Sequence, residues 1–340
     1  MNYFGNKENS RGIVLIGGLL AANVAAWLWA VMVFHQHAAL LGTALLAWTY
    51  GLRHAVDADH IAAIDNVTRK LMQQQQKPLA VGAFFSLGHS TIVVLASIGI
   101  AGLASHFTAH WQWLHDVGGV IGTSVSALFL LVLAVVNLAI LRDVWRRFQA
   151  VKNGQQQHDV DLDTVLAGGL MSRLYRKLFG LVEHSWQMYL IGFLFGLGFD
   201  TATEVGLLGI SAAGSSSGLS VWSIMVFPAL FTAGMALVDS LDNMVMVHAY
   251  GWAFDKPLRK LYYNITITAT SVVVALVIGG LEALGLIADQ LNLQGGIWDG
   301  VALVNDHLGN AGFIVIGIMV ACWVLSLLNY RWRGYDDMVA

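Results

Sequence analysis

Eight stretches of this chain are apolar for about 20 residues or more, the length a helix needs to cross a ~30 Å hydrocarbon core. They cover about 12–34, 40–64, 79–103, 117–141, 186–210, 221–249, 265–288 and 311–330. Only 11% of the 340 residues are charged and 57% are hydrophobic, whereas a soluble protein carries roughly 25% charge. That is too little charge to cover a water-exposed globule. The expected fold is an all-α polytopic membrane protein with eight transmembrane helices. The first stretch is too long for a signal-peptide core and is expected to be retained. A single cysteine, Cys322, excludes a disulfide framework and a cysteine-clamped zinc or iron–sulfur site. The net charge of −3 leaves no electrostatic footprint for nucleic acid.

The basic residues orient the chain. Of the 18 Lys and Arg residues, all except Arg53 fall in the two ends or in the loops after the second, fourth, sixth and eighth stretches. By the positive-inside rule that side is cytoplasmic, which places both termini there. The expected organisation is an N-terminal four-helix half over 1–141, a solvated cytoplasmic linker over 142–185, and a C-terminal four-helix half over 186–340. No P-loop pattern occurs, so neither an ATPase activity nor an ATPase subunit is implied.

Charge inside the second, fifth and sixth stretches is the informative exception. There lie Arg53 and the acids Asp57, Asp59, Asp200, Glu204, Asp239 and Asp242. Each costs roughly 2.5–3.5 kcal/mol on insertion scales, so the seven would cost about 17–25 kcal/mol if left unpaired. One arginine does not balance six acids. Such a cluster marks an ion or proton pathway. Counted from the nearest cytoplasmic charges, most of these groups and His54, His60 and His89 fall about 14–26 Å deep. Four separate stretches therefore bring polar groups to the middle of the membrane.

The residue types narrow the ion. His54, Asp57 and His60 are spaced i, i+3, i+6, which places them on one side of a helix. Asp59 falls off that face, so either it meets another partner such as Arg53 or the helix is locally irregular, as transporter helices are where they line a site. Imidazole with carboxylate and no thiolate suits nickel, cobalt, zinc, iron or copper(II), whereas all-oxygen sites suit magnesium and calcium. A proton pathway uses the same residues. A membrane metalloenzyme would carry HExxH or denser histidine boxes, and neither is present.

The segments Arg53–Ile61 (RHAVDADHI), Phe85–Val94 (FSLGHSTIVV), Leu197–Glu204 (LGFDTATE) and Gly234–Asn243 (GMALVDSLDN) together resemble the NiCoT family of nickel/cobalt transporters. HAVDADH and LGHS lie in the expected N-terminal half, DTATE and DSLDN in the C-terminal half. The resemblance implies uptake of Ni²⁺, and in some members Co²⁺, through the bacterial inner membrane without ATP. The metal would be cargo, with no prosthetic group. It also implies that His54, Asp59 and His60, the His-x4-Asp-His core, are needed for passage, and it points to Asn23 as facing the site. On this reading His54, His60 and His89 with Asp57 or Asp59 bind the ion. Asp200, Glu204, Asp239 and Asp242 complete the site or form its inner exit. Arg53 pairs with an acid, and Ser90, Thr91 and Asn243 supply supporting hydrogen bonds. Ligands alone do not fix direction, so an exporter stays open.

Overall fold

The computed structural model of the protein describes residues 6–74, 76–102, 104–152, 182–198, 201–253 and 257–332. Its helices are α1 (Asn6–Phe34), α2 (Ala38–His54), α3 (Ala58–Gln73), α4 (Val81–Gly102), α5 (Ala104–Lys152), α6 (Met188–Phe195), α7 (Ala202–Ser216), α8 (Val226–Ala253), α9 (Pro257–Leu291), α10 (Ile297–Asn305) and α11 (Leu308–Trp332). A single turn, Val221–Ile224, leads into α8.

The protein is a multi-pass membrane protein, but the expected eight spans are not found. Among the described residues five helices are long and apolar enough to cross a membrane: Ser10–Phe34, Val81–Gly102, Val117–Ala139, Val221–Ala249 and Ile265–Leu291. The other three stretches fail for identifiable reasons. The 40–64 stretch breaks into α2 and α3, of 17 and 16 residues, and α3 carries Asp59, Asp65, Arg69 and Lys70. The 186–210 stretch breaks into α6 and α7, of 8 and 15 residues. In the last, the apolar run is shorter, Ala311–Ser326. Residues 1–5 and 333–340 and most of the 142–185 segment lie outside the described residues, although α5 itself continues to Lys152.

Both helices restart at a polar N-cap residue, Asp57 for α3 and Thr201 for α7. At Ala55–Asp57 the backbone closes short bonds, Val56 N–H to Arg53 O at 3.0 Å and Asp57 N–H to His54 O at 2.9 Å. Asp57 then takes an extended ψ of 146° at the N-cap of α3, but its carboxylate makes no capping bond; it binds His54 instead. Helix α11 crosses here, and a β-carbon at Gly312 would collide with the Val56 carbonyl. The second break ends at Thr201, an N-cap with ψ 143° whose hydroxyl accepts from Glu204 N–H, a common way to start a helix.

Helix α8 runs through the middle and packs against α1, α2, α3 and α4. Close approach between α4 and α6 rests on glycine. A β-carbon at Gly88 would meet the Tyr189 carbonyl, and one at Gly192 the Phe85 carbonyl, the small-residue packing of membrane helices. Large apolar side chains such as Ile13, Leu128, Val245, Ile314 and Leu325 are exposed on the outside, as a lipid-facing surface requires.

Helix α3 is the reverse, polar and buried. Asp65, Asn66, Thr68, Arg69 and Lys70 are all at most 2% exposed. Arg69 and Lys70, expected in a cytoplasmic turn, are thus inside the protein. Arg69 donates to Thr268 Oγ1 and Asn66 Oδ1, both at 3.0 Å. Lys70 Nζ donates to Val182 O at 2.9 Å. One acid missing from the sequence inventory lies in α9: Glu282 accepts from Ser126 on α5 at 2.7 Å.

Candidate metal centre

The helix ends carry the centre. His54 is the last residue of α2, Asp57 the N-cap of α3, and His60 lies in the first turn of α3. His89 comes from the middle of α4, Glu204 from the first turn of α7 and Asp239 from the middle of α8. The histidines are 1%, 0% and 3% exposed for His54, His60 and His89. One nitrogen of each ring lies within 4.8 Å of one from each of the other two.

Each imidazole meets a carboxylate. His54 Nδ1 is 2.7 Å from Asp57 Oδ2, His60 Nδ1 is 3.3 Å from Asp239 Oδ2, and His89 Nε2 is 2.8 Å from Glu204 Oε1. His54 Nε2 faces His89 Nε2 at 2.9 Å and Glu204 Oε1 at 3.9 Å. A carboxylate on one ring nitrogen fixes the tautomer and makes the other nitrogen a better metal ligand. Asp57 and Asp239 are placed for that orienting role, whereas Glu204 sits beside the ring nitrogens themselves. Four buried imidazole and carboxylate atoms in this region find no hydrogen-bond partner among the described residues: His60 Nε2, His89 Nδ1, Asp239 Oδ1 and Asp242 Oδ2. Unmet ligand atoms in a dry interior are costly unless an ion or water answers them.

The remaining predicted residues divide. Asp59 is half-buried in the first turn of α3, close enough for its charge to act on His54 and His60. Asp242 is half-buried one turn after Asp239. Asp200 lies outside the described residues. Arg53 is exposed. Ser90 is buried beside His89, with its hydroxyl unpartnered among the described residues. Thr91 bonds Leu87 O and the Tyr189 hydroxyl, which ties α4 to α6. Asn243 accepts from Thr68 Oγ1 at 2.6 Å and donates to Pro78 O, which ties α8 to α3. Asn23 donates to Leu19 O and Ala233 O and accepts from Trp48 Nε1. Its amide is spent on holding α1 to α2 and α8.

Three residues at the centre were not singled out from sequence, although all lie in or beside the quoted motifs. Ser86 Oγ donates to Asp239 Oδ2 at 2.5 Å. Thr203 Oγ1 is 3.2 Å from His54 Nδ1. Thr201 Oγ1 donates to Glu204 Oε2 at 3.0 Å and lies 3.4 Å from His54 Nδ1. Their signal was position, one helical turn from an acid or histidine already chosen.

Broken helices that enclose imidazole and carboxylate in a membrane bundle define a transport protein for a divalent metal ion. The comparisons place it among known proteins. Residues 40–329 match the NicO family, high-affinity nickel-transport protein, and the chain belongs to that family. It is 52% identical over 340 residues to the high-affinity nickel transport protein of Cupriavidus necator, covering 98% of this chain and 97% of that one. It is 52% identical to the hydrogenase nickel incorporation protein HupN of Bradyrhizobium diazoefficiens, covering 94% and 84%. It is 36% identical to the cobalt transport protein NhlF of Rhodococcus rhodochrous, covering 85% and 82%. No solved structure matches the chain.

Proposed function

We propose that the protein imports Ni²⁺, with Co²⁺ as a second cargo, across the bacterial inner membrane through the centre of His54, His60 and His89. The observation that carries the reading is the convergence of three buried imidazoles, one nitrogen of each within 4.8 Å of the others, each beside a carboxylate. Imidazole with carboxylate suits nickel, cobalt, zinc, iron or copper(II), and the relatives named for nickel and cobalt support the first two.

In this reading the three imidazoles and Glu204 take the ion, while Asp57 and Asp239 orient His54 and His60. Asp59, in the first turn of α3, adds negative charge on the approach. The basic residues beside each end, Lys7 and Arg11, Arg331 and Arg333, support cytoplasmic termini. Import then runs down the membrane potential. Two charges gain about 4.6 kcal/mol at 100 mV, which is more than a thousandfold in concentration.

The test is uptake of radiolabelled nickel by cells that express wild type or His54→Ala, His60→Ala or Asp59→Ala at matched membrane levels. Loss of uptake in all three is expected. Wild-type uptake in the histidine variants would overturn the assignment, and efflux in place of uptake would reverse the direction.

A further inference from the structure

We infer that the protein holds a second divalent-cation station, built of carboxylate oxygens, between the histidine centre and the cytoplasmic ends of α3 and α8. The inference rests on the nickel-import reading and extends it.

Helices α3 and α8 run side by side in the same direction, as two side-chain contacts fix. His60 meets Asp239 at 3.3 Å, and further along both helices Thr68 meets Asn243 at 2.6 Å. Asp65 and Asp242 both fall in sequence between these two rungs, one on each helix. Asp239 and Asp242 are spaced i, i+3, so they share a face of α8. Asp242 lies within range of the charges of both Asp239 and Asp65. Three acids from two helices therefore fall in one interval, with Asp65 at 1% exposure, Asp239 at 0% and Asp242 half-buried.

The oxygens of this group are unevenly used. Asp65 Oδ2 accepts from Ser271 Oγ at 2.5 Å. Asp239 Oδ2 is taken by His60 and Ser86. Asp239 Oδ1 and Asp242 Oδ2 are buried with no hydrogen-bond partner among the described residues. Buried carboxylate oxygens left open beside further negative charge are expensive, and a cation that joins them removes both costs. Asp239 belongs to both stations, one oxygen on His60 and the other open. That gives the ion a path from imidazole to carboxylate without crossing apolar protein. Oxygen donors hold Ni²⁺ and Co²⁺ more weakly than imidazole, so affinity falls along the route and the ion is released inward.

The test counts ions on the purified full-length protein by calorimetric titration with Ni²⁺, with Co²⁺ absorption spectra as the report on the histidine centre. Asp239 is left intact because it also holds His60. Wild type is expected to bind two Ni²⁺, one tightly and one more weakly. Asp242→Asn should lose the weak ion and keep both the tight one and the wild-type Co²⁺ spectrum, which also shows that the variant is folded. Asp242→Glu should restore the weak ion. A single Ni²⁺ on wild type, or two on Asp242→Asn, overturns the second station. Absence of the tight ion from wild type overturns the histidine centre itself, a separate outcome.

Discussion

Replacing Asp57 separates two roles for its carboxylate. Asp57 Oδ2 lies 2.7 Å from His54 Nδ1, with side-chain exposures of 5% and 2%. Loss of such an orienting partner behind a metal-binding histidine typically costs 10–100-fold in affinity, about 1.4–2.8 kcal/mol. The surroundings place each variant within that range. Asp57→Asn keeps an acceptor oxygen for the Nδ1 proton, so the tautomer survives and about tenfold is expected. Asp57→Ala removes the acceptor. Thr203 Oγ1 at 3.2 Å and Thr201 Oγ1 at 3.4 Å remain, so the loss should stop near 100-fold. No capping bond is lost from α3, because the Asp57 side chain makes none. Ni²⁺ titration of the purified protein measures both values. Were Asp57 itself a ligand, asparagine and alanine would forfeit affinity alike. Equal losses in the two variants, or wild-type affinity in either, would refute the orienting role.

Gly192→Val should drive α6 away from α4, because even a β-carbon there collides with the Phe85 carbonyl. Overpacking of this kind costs about 1–3 kcal/mol, read as a lower melting temperature in detergent, and the shift of His89 on α4 should abolish nickel uptake. Lys70 lies outside the five apolar spans, and burial lowers its pKa from 10.5 to about 8, partly offset by Glu183. Between those two values the unfolded chain holds the proton that the folded protein has released, so stability should rise with pH across this window. Thermal melts from pH 8 upward should show the rise in wild type and not in Lys70→Met; identical slopes would refute it.

Much of the centre was legible because polar groups in lipid are expensive and few. Glu204 and Asp239 could be chosen from that cost, and His54, His60 and His89 from their depth and spacing beside them; the structure brings the five together. What was not legible depends on contacts between helices. The position of Asp59 off the His54 face left a local irregularity open, but Ala55-Val56-Asp57 contains neither Gly nor Pro to mark a helix stop. The break comes from Asp57 turning its carboxylate to His54 and from α11 lying against Val56. The span count failed for the same reason, because hydropathy reads a broken helix as one stretch. The burial of Arg69 was equally hidden. A guanidinium beside a polar tract reads as solvated until Thr268 on α9 and Asn66 are found to receive it.

The break in the second stretch also explains why two histidines six residues apart can serve one ion. On a continuous helix, positions i and i+6 are about 9 Å apart along the axis and about 120° apart around it. Rings so placed diverge toward different neighbours. Here the centroids of His54 and His60 are 4.6 Å apart, and those of His54 and His89 are 4.7 Å apart. Ending α2 at His54 and restarting at Ala58 collapses that separation, and it presents the N-terminus of α3 to the same space. Asp57 is the N-cap residue of α3 and turns its carboxylate to His54, so the residue at the break also orients the ligand. A straight helix would be the better membrane span and the poorer metal site, which is why the chain departs from a simple row of apolar helices at this point.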